Sequence, residues 1–328
     1  MLEGMALSTL DDAAARLASV LMGSGGALRD PTGSPLEFEP ELAIRPLMRL
    51  PAPADAWAVD GGQAVVADAR CAQLVVVRSS LVRFVAGACV LEEEGEMRAH
   101  LLGVGDDGAA RASLGAAVGP GSPVDANLLR DHSEWTAVAR AVDAGDPGAV
   151  VLVDGDLQPD WRIVSTYLGD LFERARRRQV VLAGVTKHSS LSRGGAPLLG
   201  QLEREADGLL GPRSLWWAPV ARTRPDVGAG LRVVAARLDP DARFAFRVDL
   251  PADVEPEPVL GSLSALCDDA AFPGYPYPLT VADRLAACPP WVRHDLWLRV
   301  DERFDAARVP LDVRERAFTD RPHLMERS

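Results

Sequence analysis

Two stretches of the sequence end an apolar run on an aspartate followed by glycine: AWAVDGGQAVV at 56–66 and GAVVLVDGDL at 148–157. Asp60 and Asp154 are thus carried by segments otherwise composed for burial. Two carboxylates brought close together either raise one another's pKa or share a cation. The glycine behind each lets backbone or a ligand approach closely and permits a bulge or sharp turn. Asp-Gly is also a strong turn signal, so either aspartate alone reads as a strand-end turn. The matching lead-ins favour a shared role for the pair. A sugar-cleaving acid/base pair would use two carboxylates as well, but aromatics make up only 5% of the chain, too few for the usual sugar cleft.

Between the two strands, DANLLRDHSEWTAVARAVDAG (125–145) has helical spacing. Trp135, Val138, Ala139 and Val142 form its core stripe, and Glu134 lies at the margin, where it can face the strand ends or water. Asp131, one turn earlier, competes for that role. A fourth carboxylate lies in GYPYPLTVADRLAACPP, where Pro278 suits a first helical turn. Asp283 there has Leu279, Ala286 and Ala287 at helical spacing, which puts it at a surface seam or in a site lining. The order strand-Asp, helix-Glu, strand-Asp, late-helix-Asp is the layout of RNase H-like nucleases, where such residues hold two divalent ions about 4 Å apart. Oxygen donors alone suit Mg²⁺ or Mn²⁺ rather than zinc.

The elements that would position these groups follow from hydrophobic periodicity. A helix is expected over about 9–22, with Ser8 or Thr9 as N-cap, Asp11 and Asp12 in its first turn and Leu10, Ala14, Leu17 and Leu21 on one face. A strand ending near Asp60 comes next, then a β-rich stretch over 71–91 and a strand around 98–104. After the 125–145 helix come a buried strand (148–157), a helix from Pro159 to Arg178 and a strand (179–190). Further strands are expected over 214–251, and helices over 257–271 and 279–288. The fold class is α/β: an RNase H-like mixed sheet flanked by helices. The expected organisation is an N-terminal helix and arm (1–54), a core (55–290) and a C-terminal helical tail (291–328), one domain overall.

Composition narrows the setting. No run reaches the ~18 apolar residues a membrane helix needs, so no membrane partner is expected. The acidic start is not a secretion signal. Cys71, Cys89, Cys267 and Cys288 are scattered, without CxxC or a histidine at zinc spacing, so neither a disulfide framework nor structural zinc is expected and a cytoplasmic setting fits best. A net charge of −12 excludes an exterior coated in nucleic acid and leaves a local grip or a partner. Of the 35 basic residues only Lys187 is a lysine. A lysine surviving that bias is either chance or a compact point charge that arginine's fork cannot replace. The basic run ERARRRQ (173–179) is explained by a helix C-terminus, and GVGDDG (103–108) is too short to be a phosphate loop.

AVDGGQA, VLVDGDL, GVTKHSS and GYPYPLTVADRLA, in this order and spacing, resemble the NurA nuclease family across about residues 55–290. The resemblance implies an RNase H-like core with Asp60 and Asp154 as first and second metal-binding aspartates and Glu134 as the glutamate of the intervening helix. Lys187 matches a lysine in the third motif, which implies a phosphate contact. Where the family usually has histidine this chain has Asp283, an acceptable ligand that puts metal preference and rate in question. Also implied are a homodimer whose channel admits DNA, partnership with a HerA-type hexameric ATPase, and two ions, Mn²⁺ or Mg²⁺. The implied activities are a 5′-to-3′ exonuclease and a single-strand endonuclease, processing DNA ends in double-strand break repair or a defence system. Arg78 and Arg83 are candidates for groove charge that binds DNA, against the plainer reading of exposed strand arginines. The alternatives are a weakened or inactive dimeric scaffold that docks on the ATPase and DNA, motivated by Asp283, and an RNase H-like enzyme acting on RNA or branched junctions.

Overall fold

In a computed structural model of the chain the described residues are 9–23, 25–31, 36–103, 107–158, 160–223 and 230–318. Along the chain come α1 (Leu10–Met22), β1 (Leu28–Arg29), β2 (Leu36–Phe38), β3 (Arg45–Pro46), β4 (Asp55–Asp68), β5 (Gln73–Val85), β6 (Ala88–Glu94) and β7 (Arg98–Leu102). They are followed by α2 (Gly108–Leu114), α3 (Ala126–Ala144), β8 (Val150–Asp154), α4 (Ser165–Arg177), β9 (Val181–Thr186), β10 (Ser192–Arg193), β11 (Ala196–Pro197) and α5 (Leu198–Leu210). The last are β12 (Trp216–Thr223), β13 (Leu231–Arg237), β14 (Phe246–Pro251), α6 (Pro256–Leu263), α7 (Tyr277–Ala286), α8 (Pro290–Ala306) and α9 (Leu311–Phe318). The fold is mixed α/β, with parallel and antiparallel pairing and helices on the sheet.

Two compact units share these elements. One comprises residues 1–53, 155–157 and 183–277. It holds the antiparallel ladder β2–β12–β13–β14–β9, with β3 also on β12, and a small β1–β10–β11 sheet. Its core sets Leu198, Leu202 and Ala206 of α5 against Trp216, Ala218, Val233 and Ala235. Thr9 caps α1 in a capping box with Asp12, yet none of that helix's residues is buried.

The other unit comprises 54–154, 158–182 and 278–318 among the described residues. Its centre is the hairpin of β4 and β5, paired from Asp55↔Val85 to Asp68↔Gln73. Small residues of β4 stand opposite larger apolar ones of β5, as in Ala56↔Phe84, Ala58↔Val82 and Ala64↔Val76, cross-strand pairs that suit a buried pleat. β6 and β7 pair with opposite ends of β5, and β8 runs parallel to the first half of β4. The 71–91 stretch is therefore two strands, broken at Ala86 and Gly87, both at positive φ. α3 is capped by Asp125, which accepts from Leu128 N–H, and buries Leu128, Trp135, Val138, Ala141 and Val142. α8 covers the far end of the hairpin through Leu296, Trp297 and Val300 against Ala64, Val66 and Val76.

Several expected boundaries move, two of them for a visible reason. β4 does not stop near Asp60 but continues to Asp68, because the hairpin with β5 carries its hydrogen bonds after β8 has ended. α4 starts at Ser165 rather than at Pro159. Residues 160–164 are held as a loop instead, by the hydrogen bonds of Asp160 and Arg162 described below.

Candidate metal centre

Strand register explains why two distant aspartates meet. β4 and β8 pair in parallel as Ala56↔Val150, Trp57↔Val151, Ala58↔Leu152 and Val59↔Val153. Asp60 and Asp154 are the next residue on each strand, so both leave the parallel ladder at the same level. Asp60 is therefore at the end of a ladder rather than of its own strand, and it still pairs with Ser80 of β5. Such positions beyond the carboxyl ends of parallel strands are where α/β sheets bind ligands. Asp283, exposed on α7, completes the group: one carboxylate oxygen each from Asp60, Asp154 and Asp283 lies within 4.8 Å of the others.

β5 holds α7 in place. Ser80, opposite Asp60, donates its hydroxyl to the Ala282 carbonyl at 2.7 Å. Arg78 is buried and donates Nε to Ala286 O at 3.0 Å, with further bonds to Ala287 O and Glu94. The last carbonyls of α7, which no turn of the helix satisfies, are thereby bonded to a charged donor. The two glycines behind Asp60 serve close approach, not a turn. A Cβ on Gly61 would lie 2.7 Å from Glu134 Oε2, and one on Gly62 would lie 1.8 Å from Ala286 O.

Glu134 is buried at 6% exposure, beside this group. Burial pushes its carboxyl well above the usual carboxylate range; the charges of Asp60 and Asp131 push the same way, Arg130 opposes them, and Asp154 adds a smaller push. Arg130 Nε is 3.9 Å from Oε2, too long for a hydrogen bond. Asp131, its competitor on α3, is used elsewhere: it accepts from Asp160 N–H at 2.8 Å and so fastens the loop before α4. Among the described residues no histidine or cysteine joins the three-aspartate group.

The basic residues have different fates. Arg78 clamps α7. Arg83 pairs with Asp55 at 2.9 Å, reaches Asp146 at 2.9 Å and lies 4.8 Å from the Trp57 ring centroid. Both guanidinia are thus engaged inside their unit. Lys187 follows β9 in the other unit, with Nζ 5.1 Å from the centroid of Tyr275. The basic end of α4 ties down locally: Arg174 pairs with Asp143, Arg176 with Glu173, and Arg178 donates to the carbonyls of Val142 and Gly145. Of GVGDDG, residues 104–106 lie outside the described residues. Sequence reasoning missed the Arg78–Ser80–Gly62 seating of α7, whose one trace is the second glycine after Asp60. It also missed Arg162, buried at 8% exposure and bonded to both Asp125 and Asp160.

No protein-family model matches the sequence, and no curated protein matches it. Among solved structures, the NurA nuclease from Sulfolobus solfataricus superposes with a TM-score of 0.60 at 14% identity, over 91% of this chain and 95% of that one. The catalytic domain of human endonuclease V gives 0.37 at 18% identity, over 77% and 85%. Endonuclease V of Ciona intestinalis, in complex with DNA containing inosine, gives 0.35 at 12% identity, over 76% and 91%. The first likeness establishes that this chain has a NurA-like fold; the other two are too distant to carry an argument.

Proposed function

We propose that the chain is a divalent-metal-dependent deoxyribonuclease, and the observation that carries this reading is the convergence of Asp60, Asp154 and Asp283 within 4.8 Å. Three carboxylates so close repel one another unless a cation neutralises them. The donor set fits: it is all oxygen, which suits Mg²⁺ or Mn²⁺ and disfavours zinc. Glu134, buried against Gly61, is the further carboxylate that would serve a second ion on its side of Asp60.

When bound, such ions supply Lewis acidity, favouring the hydroxide form of an attacking water and neutralising charge that develops on a phosphodiester. The chain's own residues do the rest. Asp60 anchors the centre from the rigid β4–β5 pair, and Asp154 and Asp283 close it from β8 and α7. Gly61 and Gly62 let Glu134 and the end of α7 sit directly against β4. Glu134 accepts or holds a proton according to the ions present, since its carboxyl resists ionisation when buried. Lys187 supplies a compact charge for a DNA phosphate.

The broader setting of this reading is a homodimer that processes DNA ends with a HerA-type hexameric ATPase, resting on the motif resemblance and the NurA-like fold. Purified protein with Mn²⁺ should degrade single-stranded DNA, and Asp60→Asn should remove that activity. Cleavage unaffected by Asp60→Asn would overturn the site. Co-purification with the ATPase without cleavage under any metal would point to the non-catalytic scaffold.

A further inference from the structure

Trp161 is 82% exposed. Leaving so much indole in water forgoes most of the stabilisation its burial would bring. A mobile loop could carry such a residue at little consequence, but this loop is pinned. Asp160 N–H donates to Asp131 at 2.8 Å. On the other side Arg162 is buried and donates to Asp125 at 2.8 and 3.1 Å, to Pro123 O at 3.0 Å and through Nε to Asp160 at 2.7 Å. Val164 N–H then reaches Ala117 O at 2.8 Å. The exposed ring thus sits on a backbone fixed at both neighbours, with the Arg162 guanidinium 5.9 Å from its centroid.

The fastening also fixes where the ring stands. Asp131 is one helical turn before Glu134 on α3, and both are close enough for their charges to interact. The loop bearing Trp161 is therefore bolted to the same helix turn that borders the carboxylate centre. Its neighbours in the chain are charged, whereas aromatics that dock proteins are centred in apolar patches. A firmly held, outward indole, on a loop fastened to the helix turn that carries Glu134, matches a different partner, a planar base.

We propose that Trp161 is the stacking platform for an unpaired nucleobase of the DNA strand entering the carboxylate centre. The proposal rests on the nuclease reading for the identity of the strand, and it narrows the substrate to single-stranded or frayed DNA. Bases within a duplex are already stacked, whereas an unpaired base gains a surface on Trp161. Stacking is tolerant of sequence, because every base has a π-face.

The test measures binding with cleavage switched off. Fluorescein-labelled oligothymidylate and oligodeoxyadenylate of about 12 nucleotides, within the usual site size of single-strand binders, are titrated in EDTA and followed by anisotropy. Trp161→Ala should weaken both about 5- to 150-fold, the range that loss of one aromatic stacking partner gives. Trp161→Phe should restore most of the loss, and a blunt duplex should respond less. Trp291→Ala, at another exposed tryptophan (67%) on α8, should change nothing. Equal binding by parent and Trp161→Ala, or no single-strand binding by the parent, overturns the proposal and leaves a protein contact as the ring's role. Binding that depends on Trp161 without cleavage under any metal would keep the platform and sink the nuclease. Cleavage and binding both indifferent to Trp161 would do the reverse.

Discussion

A Cβ atom on Gly62 would stand 1.8 Å from the carbonyl oxygen of Ala286. No side chain fits there, so β4 and the C-terminus of α7 touch backbone to backbone. That contact sets how far Asp283, three residues before Ala286, stands from Asp60. Gly62→Ala must push α7 away. Overpacking of this kind costs roughly 1–3 kcal/mol, and the displaced Asp283 should weaken metal binding beyond the loss of stability. Urea unfolding together with a Mn²⁺ titration of the thermal midpoint separates the two effects. An alanine variant with parental metal response would show that α7 tolerates the shift.

Arg78 gives a sharper division between two roles. If it seats α7, Arg78→Met strands the Ala286 and Ala287 carbonyls and should cost about 1–3 kcal/mol, the penalty for unsatisfied buried groups. If it contacts DNA, the same change lowers by about one unit the steepness with which affinity falls with log salt. The bonds to α7 predict the first outcome with an unchanged salt dependence. Denaturation and binding isotherms at three or four salt concentrations decide.

Asp60→Asn and Asp154→Asn should each lower Mn²⁺-supported cleavage by at least about 100-fold, the upper range for residues that only orient ligands. They should also abolish the metal-induced rise in melting temperature that mass action requires of a native-state site. Calorimetry with and without Mn²⁺ measures this apart from activity. Variants that keep the full metal-induced rise would place the ion elsewhere.

Glu134 has a signature in the absence of metal. Its folded-state pKa is raised by burial and then by Asp60, so the folded chain holds that proton more tightly than the unfolded chain does. The group's contribution to stability is complete below the unfolded value and is lost as pH rises through the folded one. In EDTA the melting temperature of the parent should fall relative to Glu134→Gln as pH rises above the ordinary glutamate range. The glutamine variant should be the more stable protein at the upper end, although it cleaves poorly with Mn²⁺. Parallel curves for the two proteins would mean that the carboxyl is already ionised.

What could be read beforehand divides along physical lines. The matched lead-ins before Asp60 and Asp154 were visible because parallel pairing puts like residues at like positions, and the register from Ala56↔Val150 to Val59↔Val153 carries that through. Glu134 at the margin of a helical stripe was visible from the 3.6-residue period. Periodicity cannot tell how deep such a residue lies, and Glu134 is buried where an edge position was expected. The strand beyond Asp60 was missed because Asp-Gly-Gly imitates a turn. Its glycines are required by neighbours at Glu134 and Ala286, more than 70 residues away in the sequence. A strand arginine carries no sign of whether its partners are phosphates or helix carbonyls, so the bonds of Arg78 to the end of α7 are not legible in the sequence. The loop at 160–164 escaped because Arg162 ties it to Asp125, 37 residues away, and to Pro123 beside it, a geometry that sequence spacing does not encode.

The contact of Lys187 with Tyr275 gives the chain a practical property. Apart from its α-amino group, the protein offers amine-selective reagents one target, a half-buried ammonium 5.1 Å from an aromatic centroid. A probe attached there reports from a single known position without any mutation. Protection of that amine by added oligonucleotide would footprint the strand at one residue, read by mass alone.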